Sequence, residues 1–212
     1  ARKILVGENA VGRVIARPFI GDNPQNFTRT VRRHDFSLVP PKKTMLDYLK
    51  ANGYDVIAVG KINDIFASQG ITEFVRTSGN ADGMNKSAEY LKRNFNGLCF
   101  VNLVDFDMLY GHRNDALGYT NALNEFSSGL QNFIDKMGDD DILIITADHG
   151  CDPATPSTDH SREYVPLLVY GKTVKPVNLG TKPSYACIAK TVCDIFGVKN
   201  DLFGESFKNE IL

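Results

Sequence analysis

No stretch of this 212-residue chain stays apolar for the ~18–20 residues that a bilayer-spanning helix needs, so none is expected. Neither sign of charge is in excess. There are 24 Lys and Arg against 25 Asp and Glu, a formal net charge of -1. That balance argues against nucleic-acid binding, which depends on a broad basic face. Cysteine is sparse: Cys99, Cys151, Cys187 and Cys193, with no C-x-x-C pair, so a zinc ribbon or a thioredoxin-type motif is excluded. Cys99, Cys187 and Cys193 fall in apolar or helical patterns and read as small core residues, which fits a reducing, cytoplasmic setting. There is no internal repeat and no low-complexity tract. The start, Ala1-Arg2-Lys3-Ile4-Leu5, shows neither an initiator Met nor a signal-peptide pattern. What remains is an ordinary globular composition, 42 % hydrophobic and 23 % charged, long enough for one large domain or two small ones.

The texture changes near residue 40. Before it, residues 12–21 read as a short strand and a turn, and residues 26–35 are dense in arginine. Pro40-Pro41 makes a stiff junction. After it, apolar runs at 55–60, 98–104 and 141–148 read as buried strands, with a fourth at 165–170 placed at an edge by Pro166. Between and after them, residues 43–52, 83–95, 117–137 and 184–196 read as helices, and Gly53 stands where a helix C-cap belongs. Continuous apolar strands alternating with amphipathic helices predict an α/β class: a layered α/β/α core with a mostly parallel sheet. Sheets of that kind place ligand sites beyond the carboxyl ends of their strands.

The polar residues can be checked against that rule. The second core strand runs into Asp105-Phe106-Asp107-Met108-Leu109-Tyr110-Gly111-His112, and the third into Asp148-His149-Gly150. His160 follows eleven residues after His149. Three of the four histidines therefore leave strand ends beside carboxylates. Any one of them alone reads more simply as a structural or surface residue. Together, mixed imidazole and carboxylate suit Mn²⁺, Zn²⁺ or iron better than an all-oxygen Ca²⁺ site. Asp105 and Asp107 alternate along an extended chain, so only one need face a site. The spacing points to two ions, with Asp107, His112 and His160 apart from the adjacent Asp148 and His149. A two-ion clamp serves in-line displacement at phosphorus. Lys61 and the arginine-rich start would suit a phosphate, or simply form a solvated surface.

Asp107-x4-His112, Thr146-Ala147-Asp148-His149-Gly150 and Thr158-Asp159-His160-Ser161-Arg162-Glu163 together resemble the alkaline phosphatase superfamily. Within it, further stretches resemble the phosphopentomutase family: Val101-Asn102-Leu103-Val104-Asp105-Phe106-Asp107 with Tyr110-Gly111-His112-Arg113, Gly12-Arg13-Val14-Ile15-Ala16-Arg17-Pro18-Phe19, Asn26-Phe27-Thr28-Arg29-Thr30 and Gly60-Lys61-Ile62-Asn63-Asp64-Ile65. The resemblance runs over essentially the whole chain. It implies interconversion of ribose 1-phosphate and ribose 5-phosphate, and of the deoxyribose pair, in nucleoside salvage. It also implies two Mn²⁺ ions, a phosphothreonine and a pentose bisphosphate intermediate. On it, Asp107, His112 and His160 would hold one Mn²⁺ and Asp148 and His149 the other, while Arg13, Arg29 and Lys61 would lie near the sugar phosphate. Residues 1–39 would belong to a smaller α/β cap domain and 40–212 to the metal-binding core.

The resemblance also implies elements that this sequence does not match: a first core strand with a further aspartate ligand, and the threonine nucleophile. Thr146 and Thr158 lie near the ligands, but their motifs match other positions. The chain is thus expected to correspond to the C-terminal part of such an enzyme. One metal site would be incomplete, no nucleophile would be present, and the chain would be monomeric and inactive alone. A metal-dependent phosphatase or phosphodiesterase of the same superfamily and an inactive metal-binding fragment are the competing readings. Asp159 and Arg162 could orient ligands or form a surface ion pair, and His34 reads as cavity lining or surface.

Overall fold

The computed structural model describes residues 1–30 and 32–212; Val31, in the arginine-dense run, lies outside the described residues. In chain order the strands are β1 (Arg13–Ala16), β2 (Phe19–Ile20), β3 (Thr28–Arg29), β4 (His34–Ser37), β5 (Asp55–Val59), β6 (Glu73–Val75), β7 (Gly97–Val101), β8 (Leu143–Ile145) and β9 (Leu168–Tyr170). The helices are α1 (Met45–Ala51), α2 (Ile62–Ile65), α3 (Asn80–Tyr90), α4 (Ala116–Ile134), α5 (Ala186–Ile195) and α6 (Lys208–Ile211).

Val56, Ile57, Ala58 and Val59 of β5 are at most 1 % exposed. A strand buried on both sides needs cover on both faces, because successive side chains point opposite ways. Val56 and Ala58 pack with Leu46 and Leu49 of α1 and with Val192 and Cys193 of α5. Ile57 and Val59 pack with Tyr90 of α3. The result is the expected α/β/α layering. β5 pairs in parallel with β6 on one side and β7 on the other, Ile57 opposite Glu73 and Cys99. Helix α1 starts where the Thr44 N–H donates to the Asp47 carboxylate at 2.7 Å, one half of a capping box. It ends before Gly53, which sits at φ +83° as a left-handed cap.

Two features differ from the sequence reading. The runs at 141–148 and 165–170 shorten to three-residue strands, and β8 pairs with β9 antiparallel, Leu143 opposite Tyr170, apart from the parallel sheet. The reason lies in the connection. Residues 146–167 hold no helix that could carry a parallel crossover, and Pro166 offers no N–H just before β9. Among the described residues, no strand pairs with the outer edge of β7 or of β8. Ahead of the core, β1 and β4 pair antiparallel and β2 and β3 form a hairpin; β4 lies against α2. No helix among the described residues is long and apolar enough to cross a membrane.

Thr191 shows how the second layer is tied down. It is fully buried; its hydroxyl donates to the Cys187 carbonyl at 2.7 Å and accepts the Phe207 N–H at 2.9 Å. Phe207 is itself only 1 % exposed, so its N–H has no water to turn to. Thr191→Val keeps the volume and strands that donor. The expected cost is ~1–3 kcal/mol, read as a lower urea midpoint at unchanged slope. An unchanged midpoint would show that the hydroxyl does not hold α5 to the α6 segment.

Candidate metal centre

Beyond β7 the chain does not run on extended. It enters a π-helical turn, Phe106–Tyr110, and then a 3-10 turn, Gly111–Arg113. This separates the two aspartates. Asp105 accepts the Asn80 N–H at 2.6 Å while its own N–H donates to Asn80 Oδ1 at 2.9 Å, fastening the turn to the start of α3. Asp107 instead meets the histidines. Its Oδ1 lies 3.2 Å from His112 Nε2 and 3.2 Å from His160 Nε2.

Backbone contacts bring the other loops in. Gly150 and Ser161 form an isolated antiparallel bridge, with the Ser161 N–H donating to the Gly150 carbonyl at 2.9 Å. A Cβ on Gly150 would lie 2.7 Å from the Ser161 oxygen, so the approach requires glycine. The bridge sets the preceding residues ring against ring: His149 and His160 stack with centroids 3.6 Å apart. His160 also stacks with His112 at 4.9 Å. From the far side the Asn114 amide donates to the Thr155 and Ser157 carbonyls, clamping the loop against the 3-10 turn.

The protons decide what this cluster can hold. His112 Nδ1 lies 2.6 Å from the Thr158 carbonyl oxygen, which can only accept. Nδ1 therefore carries the proton, and in the neutral ring Nε2 presents a lone pair to Asp107. His149 Nδ1 meets the Gly150 carbonyl at 3.2 Å in the same sense. Asp107 Oδ1 is buried and has no hydrogen-bond partner. At 3.2 Å the Asp107 oxygen thus faces an acceptor nitrogen of His112, and positive charge between them would satisfy both. A divalent cation meets the need, and mixed nitrogen and oxygen donors suit Mn²⁺, Zn²⁺ or iron. The residues present fit a metal.

The structure brings Asp107, His112, His149 and His160 together. Donor atoms of Asp107, His149 and His160 all lie within 4.8 Å of one another. Asp148 stays at the margin: its side chain is 67 % exposed and reaches His149 Nε2 at 3.6 Å. His149 thus faces both expected sets. Of the phosphate candidates, Lys61 is half-buried, its Nζ 2.8 Å from Met108 Sδ on the π-helical turn. Burial first, and then the Arg33 guanidinium, hold the Lys61 ammonium below its usual range, while Asp35 and Asp107 oppose the shift. Arg13 joins that cluster through its 3.3 Å ion pair with Asp35. Arg29 sits exposed on the β2–β3 hairpin, opposite Phe19. His34 packs edge-on against Phe36. Cys151 was absent from the sequence-derived ligand set, yet its donor atom lies within 4.8 Å of those of Asp107 and His112. Its place two residues after His149 was the one available signal.

A model of the metalloenzyme superfamily matches residues 10–200. The chain belongs to that superfamily. It is 60 % identical over its whole length to a phosphopentomutase of Acetivibrio thermocellus, covering 55 % of that protein. It is 56 % identical to a phosphopentomutase of Lachnoclostridium phytofermentans and 58 % identical to one of Carboxydothermus hydrogenoformans, covering 54 % of each. The chain thus spans about half the length of the curated relatives it matches.

In this superfamily member the Asp107 carboxylate is the hub of the candidate site. Titration calorimetry of the purified chain with Mn²⁺ is expected to show saturable binding. Asp107→Asn should weaken it beyond the ~10–100-fold that loss of a merely orienting partner causes. Unchanged affinity in a folded variant would remove Asp107 from the ligand set.

Proposed function

We propose that this chain is the metal- and phosphate-binding part of a phosphopentomutase, acting on ribose and deoxyribose phosphates in cytoplasmic nucleoside salvage. The observation that carries the reading is the placement of the Lys61 ammonium on the same π-helical turn that presents Asp107 to the imidazoles. A cation for a phosphoryl oxygen and a carboxylate–imidazole cluster for metal stand side by side. That pairing is what displacement at phosphorus requires, since positioning and charge neutralisation dominate its catalysis. The relatives named above carry the same activity in their names.

In this proposal Asp107, His112 and His160 would hold one Mn²⁺, and Asp148 and His149 would hold the other. When bound, the ions neutralise charge on the transferring phosphoryl group. The chain's own groups do the rest. The Nδ1–H groups of His112 and His149 donate to backbone carbonyls, so each Nε2 keeps one direction. Lys61 binds a substrate phosphate oxygen with a charge-assisted hydrogen bond. Arg13 and Arg29, on the strands before residue 40, serve the far end of the sugar phosphate and help exclude water from it. The threonine nucleophile implied by the family resemblance has no match in these 212 residues. The chain alone is therefore proposed to bind substrate as a monomer without completing turnover.

The test uses the purified 212-residue chain with Mn²⁺ and ribose 5-phosphate. Binding without isomer exchange is expected. Lys61→Met, which keeps the buried stem and removes the charge, should weaken that binding ~10–100-fold, the range for one charged hydrogen bond. Isomer exchange by this chain with no other protein present would overturn the inactive-alone reading. Steady release of inorganic phosphate would favour a phosphatase instead.

A further inference from the structure

The sulfur of Cys151 belongs to the candidate centre, although neither the strand-end pattern nor the family resemblance places it there. Cys151 follows the Gly150–Ser161 bridge, which turns its side chain back over the 3-10 turn that carries His112. The thiol rests against Gly111, where an added Cβ would come within 2.5 Å of Sγ. Gly111 thus leaves the sulfur room beside the ligands. Asp107, His112 and Cys151 each offer one donor atom, and the three atoms lie within 4.8 Å of one another. All three residues are partly buried. Asp107 Oδ1 is buried and unpartnered, and His112 Nε2 faces it with a lone pair. The other three cysteines are elsewhere: Cys99 in the β7 core, Cys187 and Cys193 buried in α5.

We propose that Cys151, with Asp107 and His112, forms a subsite selective for a thiophilic divalent cation such as Zn²⁺, Co²⁺ or Cd²⁺. The proposal rests on the metal-centre reading above. Oxygen and imidazole donors serve Mn²⁺ and Zn²⁺ alike, whereas a thiolate discriminates strongly for the softer ions. One sulfur, one nitrogen and one oxygen make three protein ligands. A tetrahedral ion then keeps a fourth position for water or a phosphate oxygen. Binding forms the metal–sulfur bond, breaks the S–H bond and releases that proton to solvent. Asp107 is common to this group and to the Asp107, His149, His160 group. A thiophilic ion on the sulfur side therefore competes with a hard ion for the same carboxylate. Mn²⁺ leaves the thiol protonated and uses only the oxygen and nitrogen donors.

The probe is Co²⁺, added to the full metal-free, reduced 212-residue chain and followed by absorption. A sulfur-to-cobalt charge-transfer band in the near ultraviolet is expected to saturate at a stoichiometry of one, together with visible ligand-field bands. Cys151→Ser should lose the charge-transfer band and keep the ligand-field bands, while Cys99→Ser keeps both. Mn²⁺ affinity should be the same in Cys151→Ser as in the parent chain. Ligand-field bands without charge transfer in the parent chain would overturn the sulfur assignment alone, as would a charge-transfer band that survives Cys151→Ser. Neither band in a chain folded by circular dichroism would overturn the metal-centre reading with it.

Discussion

A carboxylate oxygen buried against two imidazole nitrogens, with no hydrogen-bond partner of its own, is a local concentration of electron density suited to a cation. Contacts from three loops hold Asp107 and the imidazoles in this arrangement. The Thr158 carbonyl commits the His112 proton to the far side of its ring. The Gly150–Ser161 bridge presses His149 and His160 face to face. The Asn114 amide pins the same loop from the opposite side. Each ordered loop gives up conformational freedom, at roughly 1–2 kcal/mol per residue fixed. A cluster of acceptors is worth that expense only when a cation returns the energy on binding.

The parallel sheet supplies the platform. β5 and β7 end side by side, so the residues after them, Lys61 and the turn bearing Asp107, emerge at one edge of one sheet. That is the usual location for ligand sites in open α/β sheets. The anchoring of β5 on both faces, by α1 and α5 on one and α3 on the other, makes that edge rigid. The arginine-bearing strands come to the same place because β4 lies on α2, the short helix that starts after Lys61.

Much of this was legible in the sequence, and for identifiable reasons. The apolar run through Val56–Val59 and the periodicity around Leu46 and Leu49 announce their partners, because burial on both faces leaves few other arrangements. Histidines after strand ends announce a site because the sheet fixes where such loops must go. The finer division was not legible. Extended geometry predicts alternation between Asp105 and Asp107, but the π-helical turn assigns one to the start of α3 and the other to the histidines. Nothing in Asp148-His149 tells which of the pair stays exposed; the Gly150 bridge settles that through backbone pairing eleven residues away. The place of Cys151 was not legible either, because it depends on the absence of a side chain at Gly111, a contact between distant segments. The antiparallel pairing of β8 and β9 depends in the same way on what the intervening loop lacks.

The outer edges of β7 and β8, unpaired among the described residues, bear on how this polypeptide behaves in concentrated solution. Each presents a row of backbone donors and acceptors that water satisfies only loosely, next to apolar side chains that are only partly covered. Natural sheets blunt such edges with lysine, proline or a bulge. β7, Gly97–Val101, carries none of these, and its sequence, Gly-Leu-Cys-Phe-Val, is uncharged and rich in strand-forming residues. It has the physical character of a template for another strand. When copies of this chain meet, β7 offers an edge on which an intermolecular sheet can grow.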